Sequence, residues 1–139
     1  MKKFLTFAFL LLAVSFIVPQ TAKAQIYTYK TTEFAYKYVN SYGKWNDWSN
    51  WEKSSMLITI NFDTDIVKIY SPTTQVYKIT DYLEEYTDQY GGKQVKFEFI
   101  DQDGDYGKMR LRIEKNGNSQ LYVDFADVMW VYSGLTRLN

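Results

Sequence analysis

The stretch KMRLRIEKNGNSQLYVDF, residues 108–125, decides the fold. Met109, Leu111 and Ile113 alternate with Lys108, Arg110, Arg112 and Glu114, and further on Leu121, Val123 and Phe125 alternate with Gln120, Tyr122 and Asp124. A period of two sends successive side chains to opposite faces, so each run predicts a strand with one buried and one wet face. Between them, Asn116-Gly117 offers the positive-φ residues that a tight hairpin turn requires. Two antiparallel strands are therefore expected here.

The same pattern extends outward. In KQVKFEFID, residues 93–101, Val95, Phe97 and Phe99 oppose Lys96 and Glu98. In SSMLITINF, residues 54–62, Met56, Ile58, Ile60 and Phe62 share one side. The turn DTD leads to IVKIY, and SPTT, with Pro72 presetting a turn, leads to QVYKITDYLEEY. DVMWVY is a last strand that stops at Ser133-Gly134. Near the start, Tyr27 and Tyr29 share a parity that Phe34, Tyr36 and Tyr38 reverse, which predicts a bulge or break around Thr31-Thr32. The sum is an all-β domain of about eight strands in an antiparallel meander, because short connections pair sequential neighbours. Rolling such a meander into an up-and-down β-barrel removes its exposed edges, and a β-sandwich or half-open barrel are the alternatives. In strand count the expected barrel resembles the lipocalin and streptavidin-type folds. It carries no motif of either, so the resemblance concerns shape and not function.

Residues 1–24 read differently. Lys2 and Lys3 precede an apolar run from Phe4 to Val18, Pro19 ends it, and Ala22-Lys23-Ala24 places small residues where a signal peptidase reads. A mainly apolar run of fifteen residues falls short of the roughly 20 that span a bilayer, so a cleaved bacterial export signal is expected, with no transmembrane segment afterwards. The remaining domain, 25–139, is then periplasmic or secreted. Loss of Lys2, Lys3 and Lys23 leaves 13 basic against 16 acidic residues, a balance unsuited to a phosphate backbone, so no nucleic-acid partner is expected.

The chain has no cysteine and no histidine. Disulfides, thiolate or imidazole metal sites, and catalytic triads built on histidine are thereby excluded. The remaining carboxylates offer little catalytic promise. Glu84 and Glu85 are adjacent and would face opposite ways on a strand, while Glu98 and Glu114 lie on wet faces. Asp101, Asp103 and Asp105 alternate as the first ligands of a calcium loop do. However, glycine falls at the fourth position of that loop, and Arg112 stands where it needs a bidentate glutamate. A polar hairpin turn accounts for them without a metal. No cofactor, no metal and no enzymatic activity are expected.

Binding is the function class that survives. GKWNDWSNW, residues 43–51, spaces Trp45, Trp48 and Trp51 by three, a period that suits a 3₁₀ turn or a polyproline II segment and stacks the rings into one stripe. The stripe is expected either to plug the end of a barrel or to form a platform for flat ligands. The expected ligand-binding residues are Trp45, Trp48 and Trp51 with Tyr36 and Tyr38, and the expected partner is a small apolar or aromatic molecule, a glycan or an envelope protein. A protein-interaction module such as an inhibitor or envelope subunit is the alternative reading, since exposed Trp and Tyr make good anchors.

Overall fold

A computed structural model describes residues 26–116 and 118–139. The expected export signal and the glycine of the Asn116-Gly117 turn lie outside the described residues. The described residues form antiparallel strands in one sheet and no helix. The strands are β1 (Ile26–Lys30), β2 (Glu33–Tyr38), β3 (Glu52–Lys53), β4 (Leu57–Asn61), β5 (Ile66–Tyr70) and β6 (Gln75–Tyr82). The second half holds β7 (Tyr86–Thr87), β8 (Lys93–Asp101), β9 (Tyr106–Ile113), β10 (Ser119–Asp124), β11 (Val128–Ser133) and β12 (Thr136–Arg137).

Twelve strands stand where about eight were expected because several long strands are broken. β1 and β2 part at Thr31-Thr32, where the sequence changes parity. β6 and β7 flank the same edge of β8 on either side of Leu83–Glu85, and Leu83 N still donates to Lys96 O at 2.9 Å. β11 and β12 part at Gly134-Leu135. Their partners follow suit, with β2 on β11 and β1 on β12.

The ladder runs β12-β1-β4-β5-β6-β8-β9-β10-β11-β2-β3, an open path with β7 beside β8. β1 and β2 are two residues apart in the chain yet lie near opposite ends of this path, so the sheet curls until its ends lie side by side. Backbone bonds mark the meeting point: Thr31 N donates to Met56 O at 2.9 Å, Thr32 N to Ser133 O at 3.1 Å, and Ser54 N to Thr32 O at 2.9 Å.

One face of the curled sheet supplies the core. Ile58, Ile60, Val67, Ile69, Phe97, Phe99, Met109, Leu121 and Val123 are all fully buried in a single cluster. These are the inward positions of the alternating runs, and their burial is the main favourable term available to a chain without disulfides. The interior is thus filled at its centre. Ala35 and Val131, paired across β2 and β11, are also buried although they lie outside the core cluster. A second layer covers the outer side of the sheet there.

Candidate functional site

That layer is the tryptophan segment. No helical turn forms between Gly43 and Trp51; the chain turns at Asn40–Lys44 and runs back along β2. Asn40 Oδ1 accepts from Tyr42 N and Lys44 N, at 2.8 and 3.2 Å, and Gly43 takes a positive φ of 76°, which fixes the turn. Beyond it the register is unusual. Asn46 N donates to Tyr38 O while Asn46 Oδ1 accepts from Tyr38 N at 2.7 Å. Ser49 N donates to Tyr36 O while Ser49 Oγ accepts from Tyr36 N at 3.0 Å. Glu52 then pairs with Phe34 in ordinary β3 register. Each step of two residues along β2 therefore meets three residues of WND-WSN-WEK. A polar side chain after each of the first two tryptophans replaces the backbone acceptor that a regular strand would have offered. The three-residue spacing of the tryptophans is the period of this edge pairing, not of a helix.

Trp45 and Trp48 consequently face the outer side of the sheet. The Lys37 ammonium lies 5.5 Å from the Trp45 ring and 4.9 Å from the Trp48 ring. Trp48 meets Tyr122 edge-on at 6.3 Å, and Tyr122 carries the Arg110 guanidinium 4.0 Å from its centroid. Arg110 in turn forms a bidentate pair with Asp124, at 2.8 and 3.3 Å. Reaching β10 from the edge of β2 takes Trp48 across β11, which accounts for the burial of Val131 and Ala35. Trp45 and Trp48 remain 39% exposed and Trp51 48%.

Tyr36 takes the other side. It pairs with Trp130 across β2 and β11, stacks on Phe34 at 6.3 Å, and opens onto an apolar groove of about 470 Å³ completed by Met56, Pro72 and Tyr132. The structure thus separates Tyr36 from the tryptophan stripe with which it was grouped; Tyr38, 47% exposed, has the parity of Tyr36. On the far side of Trp130 a second, wetter cavity of about 780 Å³ is lined by Gln75, Tyr77, Tyr106, Phe125 and four aspartates, Asp101, Asp103, Asp105 and Asp127. Trp130 divides the two. Its Nε1 is buried and meets no acceptor in hydrogen-bond geometry, although it lies near enough to the Tyr132 hydroxyl to favour that oxygen's ionised form. The other polar groups are engaged: Tyr77 Oη donates to Gln75 Oε1 at 2.6 Å, and Gln75 Nε2 donates to Ser71 Oγ at 3.1 Å.

Trp130, Met56, Pro72 and Gln75 were not among the expected site residues. In DVMWVY the four apolar residues Val128 to Val131 run together, so alternation does not say that Trp130 points in and Val131 out. The aspartates of residues 101–105 form the expected hairpin turn. Asp101 Oδ1 accepts from Asp103 N at 2.9 Å and Asp105 N at 2.8 Å, with the carboxylate oxygens of all three within 4.8 Å of one another. Of the acidic patch, Glu85 pairs with Lys93 at 3.3 Å and Asp88 lies 3.7 Å from Arg112, so these carboxylates do not converge on a cleft.

Burial raises the hydroxyl pKa of Tyr77, helped by Tyr132 and Asp101. Burial also raises that of Tyr132, against the opposing pull of Gln75 and Trp130, and that of Tyr29, against Arg137. An unfolded tyrosine ionises near pH 10, so above that pH the unfolded chain binds fewer protons than the folded one and stability falls as pH rises. Urea midpoints should stay level up to about pH 9.5 and then drop steeply. Tyr77→Phe should flatten the drop, and an unchanged alkaline limb in that variant would refute the assignment.

Compared with protein-family models, curated proteins and solved structures, the chain has no match.

Proposed function

We propose that the chain is an exported, non-enzymatic binding domain that holds a small apolar or aromatic molecule in the groove beside Trp130. The observation that carries this reading is the groove itself, where Phe34, Tyr36, Met56, Trp130 and Tyr132 leave an apolar concavity open to solvent above a filled core. Apolar walls with a few oriented polar groups are what small-molecule sites require. Export rests on the pattern of residues 1–24, and no helix among the described residues is long and apolar enough to cross a membrane.

We read the scaffold as an eight-stranded up-and-down barrel, open at one side of its mouth. In support, β1-β2 is flanked by β3-β4 along one edge and by β11-β12 along the other. The groove lies where Ser54–Met56 departs with β2 while Ser71-Pro72 turns away into β6, which leaves no ladder between them. The filled core speaks against a deep calyx of the lipocalin kind and in favour of a site at this mouth.

A second reading, a protein- or glycan-binding platform, is favoured by one observation: Trp45 and Trp48 stand partly exposed around Lys37 on the outer face, with Trp51 48% exposed further along the segment. The uncharged dye N-phenyl-1-naphthylamine separates the two. In the groove reading its emission rises saturably with the wild type and with Trp48→Ala, and the rise is lost with Tyr36→Asp. Loss with Trp48→Ala and retention with Tyr36→Asp would move the site to the outer face.

A further inference from the structure

We infer that the ligand of this mouth is an organic cation: an apolar or aromatic body seated in the groove and a positive centre lying towards Asp103 and Asp127. The inference rests on the groove reading above and adds the ligand's charge. Two features of the structure lead to it.

The first is a balance of charge. The groove and the wetter cavity share Trp130, Gln75, Ser71 and Val128 in their linings and so adjoin at one mouth, on either side of the Trp130 ring. Its lining includes four aspartates and no lysine or arginine. Lys108, Lys37 and Arg110 sit on strands nearby, but Lys108 and Arg110 alternate with the buried Met109 and Leu111 and so take the outer face of β9, where Arg110 is bound to Asp124, and Lys37 lies over the outer tryptophans. Among the described residues none forms an ion pair with the mouth's carboxylates, and their field repels an anionic ligand and attracts a cationic one.

The second is aromatic surface beside those carboxylates. Phe125 packs 5.6 Å from Trp130, while Tyr106 stands 70% exposed at the rim. Ring faces attract alkylammonium groups within about 6 Å, and carboxylates nearby add to the effect.

The test uses three small probes of one shape on the 25–139 chain: 4-phenylbutylamine, 4-phenylbutyrate and 4-phenyl-2-butanone. Indole N–H resonances are followed by ¹H–¹⁵N correlation spectra, with the Trp130 signal identified by its absence in Trp130→Phe. The amine should move that signal saturably and bind at least about fivefold more tightly than the butyrate, a gap that shrinks with added salt. In Asp103→Asn/Asp127→Asn, which leaves the turn-forming Asp101 in place, the preference should disappear while the ketone still binds. Equal binding of amine, ketone and butyrate overturns the cation inference and leaves the groove reading standing. No movement of the Trp130 signal by any probe overturns both. Calcium chloride is titrated separately; a saturable response to calcium with none to the amine assigns the carboxylates to a metal and also overturns the inference.

Discussion

Gly134→Ala is expected to lose about 2–4 kcal/mol of stability, which combines the cost of placing a side chain at positive φ with that of overpacking. Gly134 has a φ of 63° and is the hinge between β11 and β12. A Cβ there would run into the Oγ1 and Cβ of Thr32, the residue at which β1 breaks from β2. Two bent strands thus cross their corners at one point, and the glycine leaves room for the threonine, whose hydroxyl donates to Ser133 O at 3.2 Å. The steric share is separable from the conformational share. Thr32→Ala in the Gly134→Ala background should restore about 1 kcal/mol or more, a coupling read from a double-mutant cycle in urea. A single-variant loss below about 0.5 kcal/mol, the scale of an ordinary surface substitution, would mean that the corner is slack.

Phe99→Ala should cost about 3–5 kcal/mol, because a fully buried ring is removed and its neighbours cannot close the space. Phe99 packs edge-on against Tyr77 at 4.8 Å and Phe125 at 5.3 Å. It also lies over Gly107, where an added Cβ would come 2.5 Å from its Cζ and 2.7 Å from Asp124 O. Two-residue cross-strand pairing and the missing Cβ together make the slot for the ring. Such a loss is a large part of the roughly 5–15 kcal/mol that holds a small domain together. Since Phe125 in turn supports Trp130, the variant should also weaken dye binding at the mouth. A small loss with a lowered denaturant slope would instead point to a changed unfolded ensemble.

The legibility of this fold in the sequence follows the strength of its alternation. β8, β9 and β10 alternate over Val95–Phe99, Lys108–Ile113 and Gln120–Asp124, and Phe97, Phe99, Met109, Leu111, Leu121 and Val123 are all buried as the pattern requires. The break at Thr31-Thr32 was legible because parity reverses there. The break after Tyr82 was not, since DYLEEY is polar on both sides and offers no parity to reverse. β3 was missed because its two residues, Glu52 and Lys53, are exposed and their pairing with β2 is long-range.

The site divides the same way. Trp45, Trp48 and Trp51 announce themselves by spacing, but a period of three belongs to several backbone geometries. Only the bonds from Asn46 and Ser49 to Tyr38 and Tyr36 identify which one occurs. Tyr36 is an expected site residue, and its separation from the tryptophans depends on its being one residue away from Lys37. Trp130 carried no signal, because a single tryptophan in an apolar strand reads as core until the space beside it is seen.

The register between β2 and the tryptophan segment has a consequence for how this chain can vary in length. In an ordinary hairpin, each arm gives up one residue for every residue lost by the other, and pairs of residues preserve the facing of both arms. Here two residues of β2 answer to three of its partner. The hairpin therefore keeps every side chain on its present face only when it grows or shrinks by a block of five residues, three from the tryptophan arm and two from β2. Homologous chains with longer or shorter versions of this loop should fall on that ladder of lengths.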